Sequence, residues 1–176
     1  MIPAIQQLNT DLDNNTNLLL DILDTVPAAK LQLKNPRTEW SIMECAEHIL
    51  ISEQAVAKAL QGPSHPIEDR APDSKLEELN KNFLEFDQRL RVSGDPETLD
   101  GGYDNIKSFS QAFRRNRELI KEALQKEPLE WLCEKLEHAK FGYLTRLEWA
   151  YYLIYHTERH LQQINRIEAS LENTNP

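Results

Sequence analysis

Near its C-terminus the chain reads Tyr155-His156-Thr157-Glu158-Arg159-His160-Leu161-Gln162-Gln163-Ile164. On a helix, residues four apart project from the same face, one turn from each other. Two imidazoles so placed can reach a single metal ion. A rotation of ~100° per residue groups Trp149, Leu153, His156, His160, Ile164 and Ile167 on one broad face, so the pair lies inside an apolar stripe. A buried imidazole needs a partner for its nitrogen lone pair. A shared cation provides one, and a satisfied core histidine is the alternative; this helix alone does not choose between them.

A third ligand must come from elsewhere in the chain, which also carries His48, His65 and His138. His65 lies in Gly62-Pro63-Ser64-His65-Pro66, a turn, and is expected to be exposed. His138 sits just before a turn at Gly142, near one end of the fold. His48 falls two turns into a predicted helix, with the small residues Cys45, Ser52, Ala55 and Ala59 on neighbouring positions, leaving space for an ion and a ligand. A helical histidine opposite a helical pair is how a bundle builds a site from facing elements.

The elements that must position these residues are helical throughout. The apolar period is close to 3.6 wherever it is clear, and no run alternates convincingly like a strand. Ile2, Ile5, Leu8, Leu12, Leu19, Ile22, Leu23 and Val26 mark a first helix ending before Pro27. Ser41-Ile42-Met43-Glu44 is a capping box that opens a second, to about Gln61, stopped by Gly62-Pro63. The same signature at Ser74-Lys75-Leu76-Glu77 opens a helix to about Arg91. Thr145-Arg146-Leu147-Glu148 opens the last, to about Leu171. Ile106, Phe109, Phe113, Ile120 and Leu124 give another over 105–125. Segments 62–73, 92–104 and 126–144 read as connections, with some extended or turn structure expected around Trp131 to Gly142. The expected fold is all-α: a four-helix bundle with an additional helix in the long crossover connection, in a single domain over 1–176.

Composition narrows the function. Hydrophobic residues make up 40% and charged residues 28% of the 176, as in a soluble globular domain. No stretch approaches the ~18 consecutive apolar residues of a membrane span. The N-terminus turns polar by Gln6 and Gln7, unlike a secretory signal, so the cytoplasm is the expected location. Cys45 and Cys133 show no CxxC spacing and are expected to be free thiols. A net charge of −9 opposes binding to nucleic acid. The one basic cluster, Arg114, Arg115 and Arg117, is flanked by acidic and apolar residues and reads as a solvated helix face.

Trp40-Ser41-x-x-Glu44-x-x-x-His48, followed far downstream by His156-x-x-Arg159-His160-x-x-Gln163-Ile164, resembles the DinB-like (DinB/YfiT) metalloenzymes. The lead-in Phe141-Gly142-x-Leu144-Thr145-x-x-Glu148-Trp149 is similar to that family as well, and the likeness runs from the first helix to about Ile167. It implies a four-helix bundle whose divalent metal is held by His48, His156 and His160. Related members include transferases and isomerases that use low-molecular-weight thiols such as bacillithiol, mycothiol or glutathione. Relatives often pair, so the resemblance makes a homodimer a candidate assembly. Where the family often has His-Pro before its Phe-Gly turn, this chain has His138-Ala139-Lys140-Phe141-Gly142, a departure that touches the adjoining loop and not the three histidines.

Three neutral nitrogens with open positions make a catalytic ion, not a closed structural one. Imidazole suits zinc, nickel, copper or ferrous iron. Zinc or nickel is expected here, with iron or manganese as alternatives. Such an ion lowers the pKa of bound water towards ~7 or activates a thiolate. With what the resemblance implies, the expected function is that of a metal-dependent transferase that depends on a low-molecular-weight thiol, or of a hydrolase, acting on a small molecule. A non-catalytic, metal-stabilised binding module is the alternative. Glu44 is sufficiently explained by its cap, with orienting a histidine or acting as a base as the alternatives, and Cys45 reads as a small core residue, with lining the pocket as the alternative. Arg159 and Gln163 flank the pair as packing or orienting partners. Tyr151, Tyr152 and Tyr155 read as an aromatic packing surface.

Overall fold

The structure, a computed structural model of the chain, describes residues 4–34, 40–84, 102–103 and 105–172. In chain order its elements are α1 (Ile5–Thr25), α2 (Ala28–Leu31), α3 (Ile42–Leu60), β1 (Ser64–His65), α4 (Leu76–Leu84), α5 (Ile106–Leu124), β2 (Leu132–His138), β3 (Gly142–Thr145) and α6 (Arg146–Glu172). The four long helices α1, α3, α5 and α6 form the bundle. Each of α1 and α3 packs against both α5 and α6. Shared core partners place α3 and α5 parallel, with α1 and α6 running the other way. A parallel α3–α5 pair needs a connection along the length of the bundle, and that crossover carries β1 and α4, which lies against α6.

Local chemistry explains the helix starts. Ser41 caps α3: its Oγ accepts from the Glu44 N–H at 3.2 Å, and Glu44 returns by accepting from the Ser41 N–H at 2.8 Å. Thr145 and Glu148 make the same reciprocal pair at the head of α6, at 3.1 and 2.9 Å. Asn105 caps α5 by accepting from the Ser108 N–H. The Ser74 signature behaves differently. Ser74 lies in a turn before α4, and its Oγ accepts from Arg70. The predicted extension of α4 from 85 to Arg91 lies outside the described residues.

The 126–144 connection contains more regular structure than its composition suggests. β2 and β3 form an antiparallel hairpin, with β1 added on the other edge of β2 in the order β1-β2-β3. Gly142, at φ 67°, takes the left-handed conformation that closes the turn after Phe141. Alternation is weak because the β2–β3 register breaks between Leu132 and Glu137 and every residue of β2 except Cys133 is half buried or exposed. The four-residue α2 was too short to carry a period.

The bundle core is divided. One cluster joins Leu8, Leu12, Val56, Leu60, Ile120, Leu124, Leu147 and Leu153. The other joins Leu19, Leu23, Ile42, Ile49, Phe109, Phe113, Leu161 and Ile164. Between them, every long helix contributes buried polar residues: Asn15 and Thr16, Glu53, Asn116 and Arg117, and His156, Thr157 and His160. A polar layer thus crosses the bundle at mid-height. Arg117 does not belong to the solvated face expected of the three arginines. Arg114 and Arg115 are exposed, but Arg117 is 1% exposed and forks onto the fully buried Glu53. Its guanidinium also donates to Asn15 Oδ1 at 2.9 Å and Thr157 Oγ1 at 3.1 Å. One arginine therefore ties all four long helices.

Candidate metal centre

His48 projects from α3, seven residues past the Ser41 cap. Trp40, just before that cap and buried, turns its ring edge-on to His48 at 5.1 Å between centroids. The cap that starts α3 thus also brings a wall for the first histidine. His156 and His160 stand one turn apart on α6, at 6% and 4% exposure, while His48 is only half buried. His48 is the most exposed of the three.

The ligand atoms of His48, His156 and His160 all lie within 4.8 Å of one another. Nε2 of His156 and Nε2 of His160 are 3.1 Å apart. His160 Nδ1 faces Gln163 Oε1 at 2.9 Å and Cys45 Sγ at 3.6 Å. His156 is held instead by rings. Tyr152 stacks on it at 5.3 Å and 11°, and Phe83 of α4 stands perpendicular to it at 5.8 Å. Phe83 is kept there by the anchoring of α4 to α6. Arg70 and the Lys75 N–H, at the approach to α4, both bond the buried Glu148 carboxylate, the arginine through two bonds of 2.6 and 2.7 Å.

Burial sets the electrostatics. Desolvation, with His48 and Arg159 adding positive charge nearby, lowers the pKa of His160 to about 3 against the opposing bond to Gln163. His156 is pushed well below its ordinary value by the same burial and by its neighbours His160 and His48. Desolvation lowers His48 too. All three rings are neutral near pH 7, the state in which imidazole donates a lone pair to a metal.

The cluster fits a divalent ion. Nitrogens at ~2.0–2.1 Å from one zinc ion lie about 3.3 Å apart in a tetrahedron and about 2.9 Å apart at right angles; the His156–His160 separation of 3.1 Å falls between. Donors sharing such an ion cannot be more than about 4.2 Å apart. The cluster's upper limit of 4.8 Å therefore asks for only a small closing movement. The donor set is all imidazole, and the buried His156 Nδ1 has no hydrogen-bond partner among the described residues.

The other candidates fall into place around the three rings. His65 is exposed, as expected, and pairs with Glu134 at 3.0 Å. His138 stands outside the cluster: its Nδ1 accepts from the Lys140 and Phe141 N–H groups, and its ring packs on Phe141 and Tyr152. Glu44 caps α3. Cys45 is a fully buried core residue that also touches His160. Arg159 donates to the Asn82 carbonyl and lies 5.8 Å over the Phe83 ring. Ala55 is exposed on α3, Ser52 is half buried, and Ala59 is buried. Sequence reasoning did not pick out Phe83 or Asn15 and Glu53, because nothing local marks a side chain that acts only across helices.

Comparison with known proteins agrees with this architecture. The sequence model of the DinB superfamily matches residues 11–164. The chain is 28% identical over 151 residues to the uncharacterized protein YuaE of Bacillus subtilis (strain 168), covering 81% of this chain and 86% of that one. Among solved structures, TT2238, described as a four-helix bundle protein, superposes with a TM-score of 0.56. That match covers 93% of this chain and 99% of the other, at 18% identity, a likeness of fold alone.

Proposed function

This chain belongs to the DinB superfamily, and we propose that it is a metal-dependent enzyme whose ion is held by His48, His156 and His160. The convergence of three neutral imidazoles from two facing helices, with ligand atoms within 4.8 Å, carries this reading. Zinc or nickel is the expected ion, and iron or manganese would suit the same nitrogens less specifically. An ion there would supply Lewis-acid activation of a thiolate or of water. The rest is the work of the chain. His156 and His160 close the inner side, Trp40 walls one flank, and Phe83 and Tyr152 exclude water around His156. The half-buried His48 leaves an approach for a small molecule. We assign the protein to low-molecular-weight thiol transfer or hydrolysis, in the cytoplasm, with a homodimer as a candidate assembly.

The deep burial of His156 and His160 also suits an ion that only stabilises the fold, so the test must separate the two readings. Elemental analysis of untagged protein is expected to find about one divalent ion per chain, lost in the His156→Ala, His160→Ala double variant. Stoichiometric metal in that variant refutes the site. Cobalt-substituted protein should then change its visible spectrum when bacillithiol or glutathione is added. A spectrum indifferent to thiol and to added anions, in a protein that melts far lower without metal, favours the stabilising role over the enzyme.

A further inference from the structure

The two histidines of α6 are not equivalent, and their hydrogen bonds say how. A carbonyl oxygen only accepts, so Gln163 Oε1, 2.9 Å from His160 Nδ1, requires the proton of His160 to sit on Nδ1. His160 Nε2 is then bare and accepts from His156 Nε2–H across 3.1 Å. That leaves His156 Nδ1 as a lone pair, which is the buried atom without a partner among the described residues. With the opposite polarity, the Gln163 amide nitrogen would donate to Nδ1 and every bond in the chain would reverse. His156 Nδ1 would then be a buried N–H with nothing to donate to, a rarer and costlier fault than an idle acceptor. The orphan thus fixes the direction of the whole chain. Cys45 supports it from α3: its thiol contacts Nδ1 at 3.6 Å and donates to the His160 carbonyl at 3.8 Å.

We propose that Gln163 is a positioning residue that holds the His160 proton on the outward nitrogen and aims the Nε2 lone pair into the space shared with His48 and His156. His160 is ready to bind without any change. His156, stacked on Tyr152 and with no hydrogen-bond partner at Nδ1 among the described residues, must move its proton from Nε2 to Nδ1 before its inner nitrogen can act as a ligand. A leucine of similar size at position 163, three residues after His160, would keep the bundle packed; only a side-chain acceptor there sets the tautomer.

Part of the test needs no metal, and it therefore stands apart from the metal-dependent reading on which the affinity arm rests. Long-range proton–nitrogen correlation on metal-free, nitrogen-15-labelled protein should show His160 protonated at Nδ1 in the wild type and in Gln163→Glu, which keeps an acceptor oxygen. In Gln163→Leu the same ring should become a mixture of tautomers. Zinc affinity, measured by competition with a chromophoric chelator, should fall about 10- to 100-fold in Gln163→Leu and stay at or above the wild-type level in Gln163→Glu. The melting temperatures of the two metal-free variants should agree, which separates positioning from packing. A wild-type His160 bare at Nδ1, or equal zinc affinity in wild type and Gln163→Leu, overturns the proposal. A wild type that binds no zinc refutes the metal reading, while the His160 tautomer still decides the role of Gln163.

Discussion

Replacing Arg117 by methionine should be among the most damaging single changes available in this bundle, and the structure says by how much. Arg117 and Glu53 are 1% and 0% exposed, so neither charge has recourse to water. The guanidinium satisfies both oxygens of Glu53, the Asn15 amide oxygen and the Thr157 hydroxyl, and lies 5.0 Å over the Phe113 ring. Methionine keeps most of the apolar stem but leaves the Glu53 carboxylate buried and unpaired. Removing one partner of such a pair costs about 3–5 kcal/mol. For a chain of this size, each kcal/mol lowers the melting temperature by roughly 2–4 °C, so a drop of about 6–20 °C follows. The assay is urea denaturation of metal-free protein followed by circular dichroism, with Glu53→Met and the double variant completing a cycle. Replacing both charges by apolar side chains removes the uncompensated ion, so the double variant should recover most of the loss. It should fall short by about 1–3 kcal/mol because Asn15 and Thr157 lose their partner. Additive single-variant effects, or a loss below 1 kcal/mol for Arg117→Met, would show that the layer is solvated and the reasoning wrong.

The histidine cluster should make metal-free protein acid-sensitive. Burial depresses the folded-state pKa of His48, His156 and His160 below the ordinary value of 6.5. Protons therefore bind the unfolded chain first, and stability falls as pH drops from about 6.5 towards about 3, where His160 itself titrates. Each histidine still unprotonated contributes a slope of up to about 1.4 kcal/mol per pH unit; equal slopes for wild type and the His156→Ala, His160→Ala variant, measured by urea melts from pH 7 to 4, would refute this. Ser41→Ala removes one half of the α3 capping box and should cost about 1 kcal/mol. It should also weaken zinc binding, because the same turn carries Trp40 onto His48; zinc affinity unaltered by a measurable loss of stability would disconnect the cap from the site.

How much of this was legible depended on whether a signal was local. The helix boundaries at Ser41 and Thr145 could be read because a cap, its partner and the first apolar residues sit within one turn, whereas α5 could be read from its apolar period. His156 and His160 could be read because a spacing of four is itself geometry. His48 needed more. Nothing beside it in sequence names α6 as its neighbour, and only its place on an apolar helix with small flanking residues, or a likeness to a family, brings it across. The hairpin could be read only as extended or turn structure around Trp131 to Gly142, because β3 is short and β2 is largely unburied and broken in register, so period two never accumulates. Arg117 was misread for a related reason. Three arginines within four residues look like one solvated patch until the helical rotation is followed, which sets Arg117 beside Phe113 and Ile120 and roughly 160° from Arg115.

That misreading bears on function. A helix normally hides apolar residues and shows charged ones, yet at one level of this bundle all four long helices hide polar groups. Arg117, Glu53, Asn15 and Thr157 occupy one part of that level and the histidines another, with Thr157 and His156 adjacent on α6. Burying so many polar groups together makes each worth keeping only if its partners stay in place, since an unpaired one is costly. The ion-pair network therefore does for the helices what Gln163 does for His160. It penalises any sliding of α6 against α3, and sliding by even one ångström would spoil the convergence of rings whose inner nitrogens stand 3.1 Å apart. On this argument the Glu53–Arg117 pair and the three histidines form one polar layer, in which the charged half fixes the register that the convergence of the histidines requires.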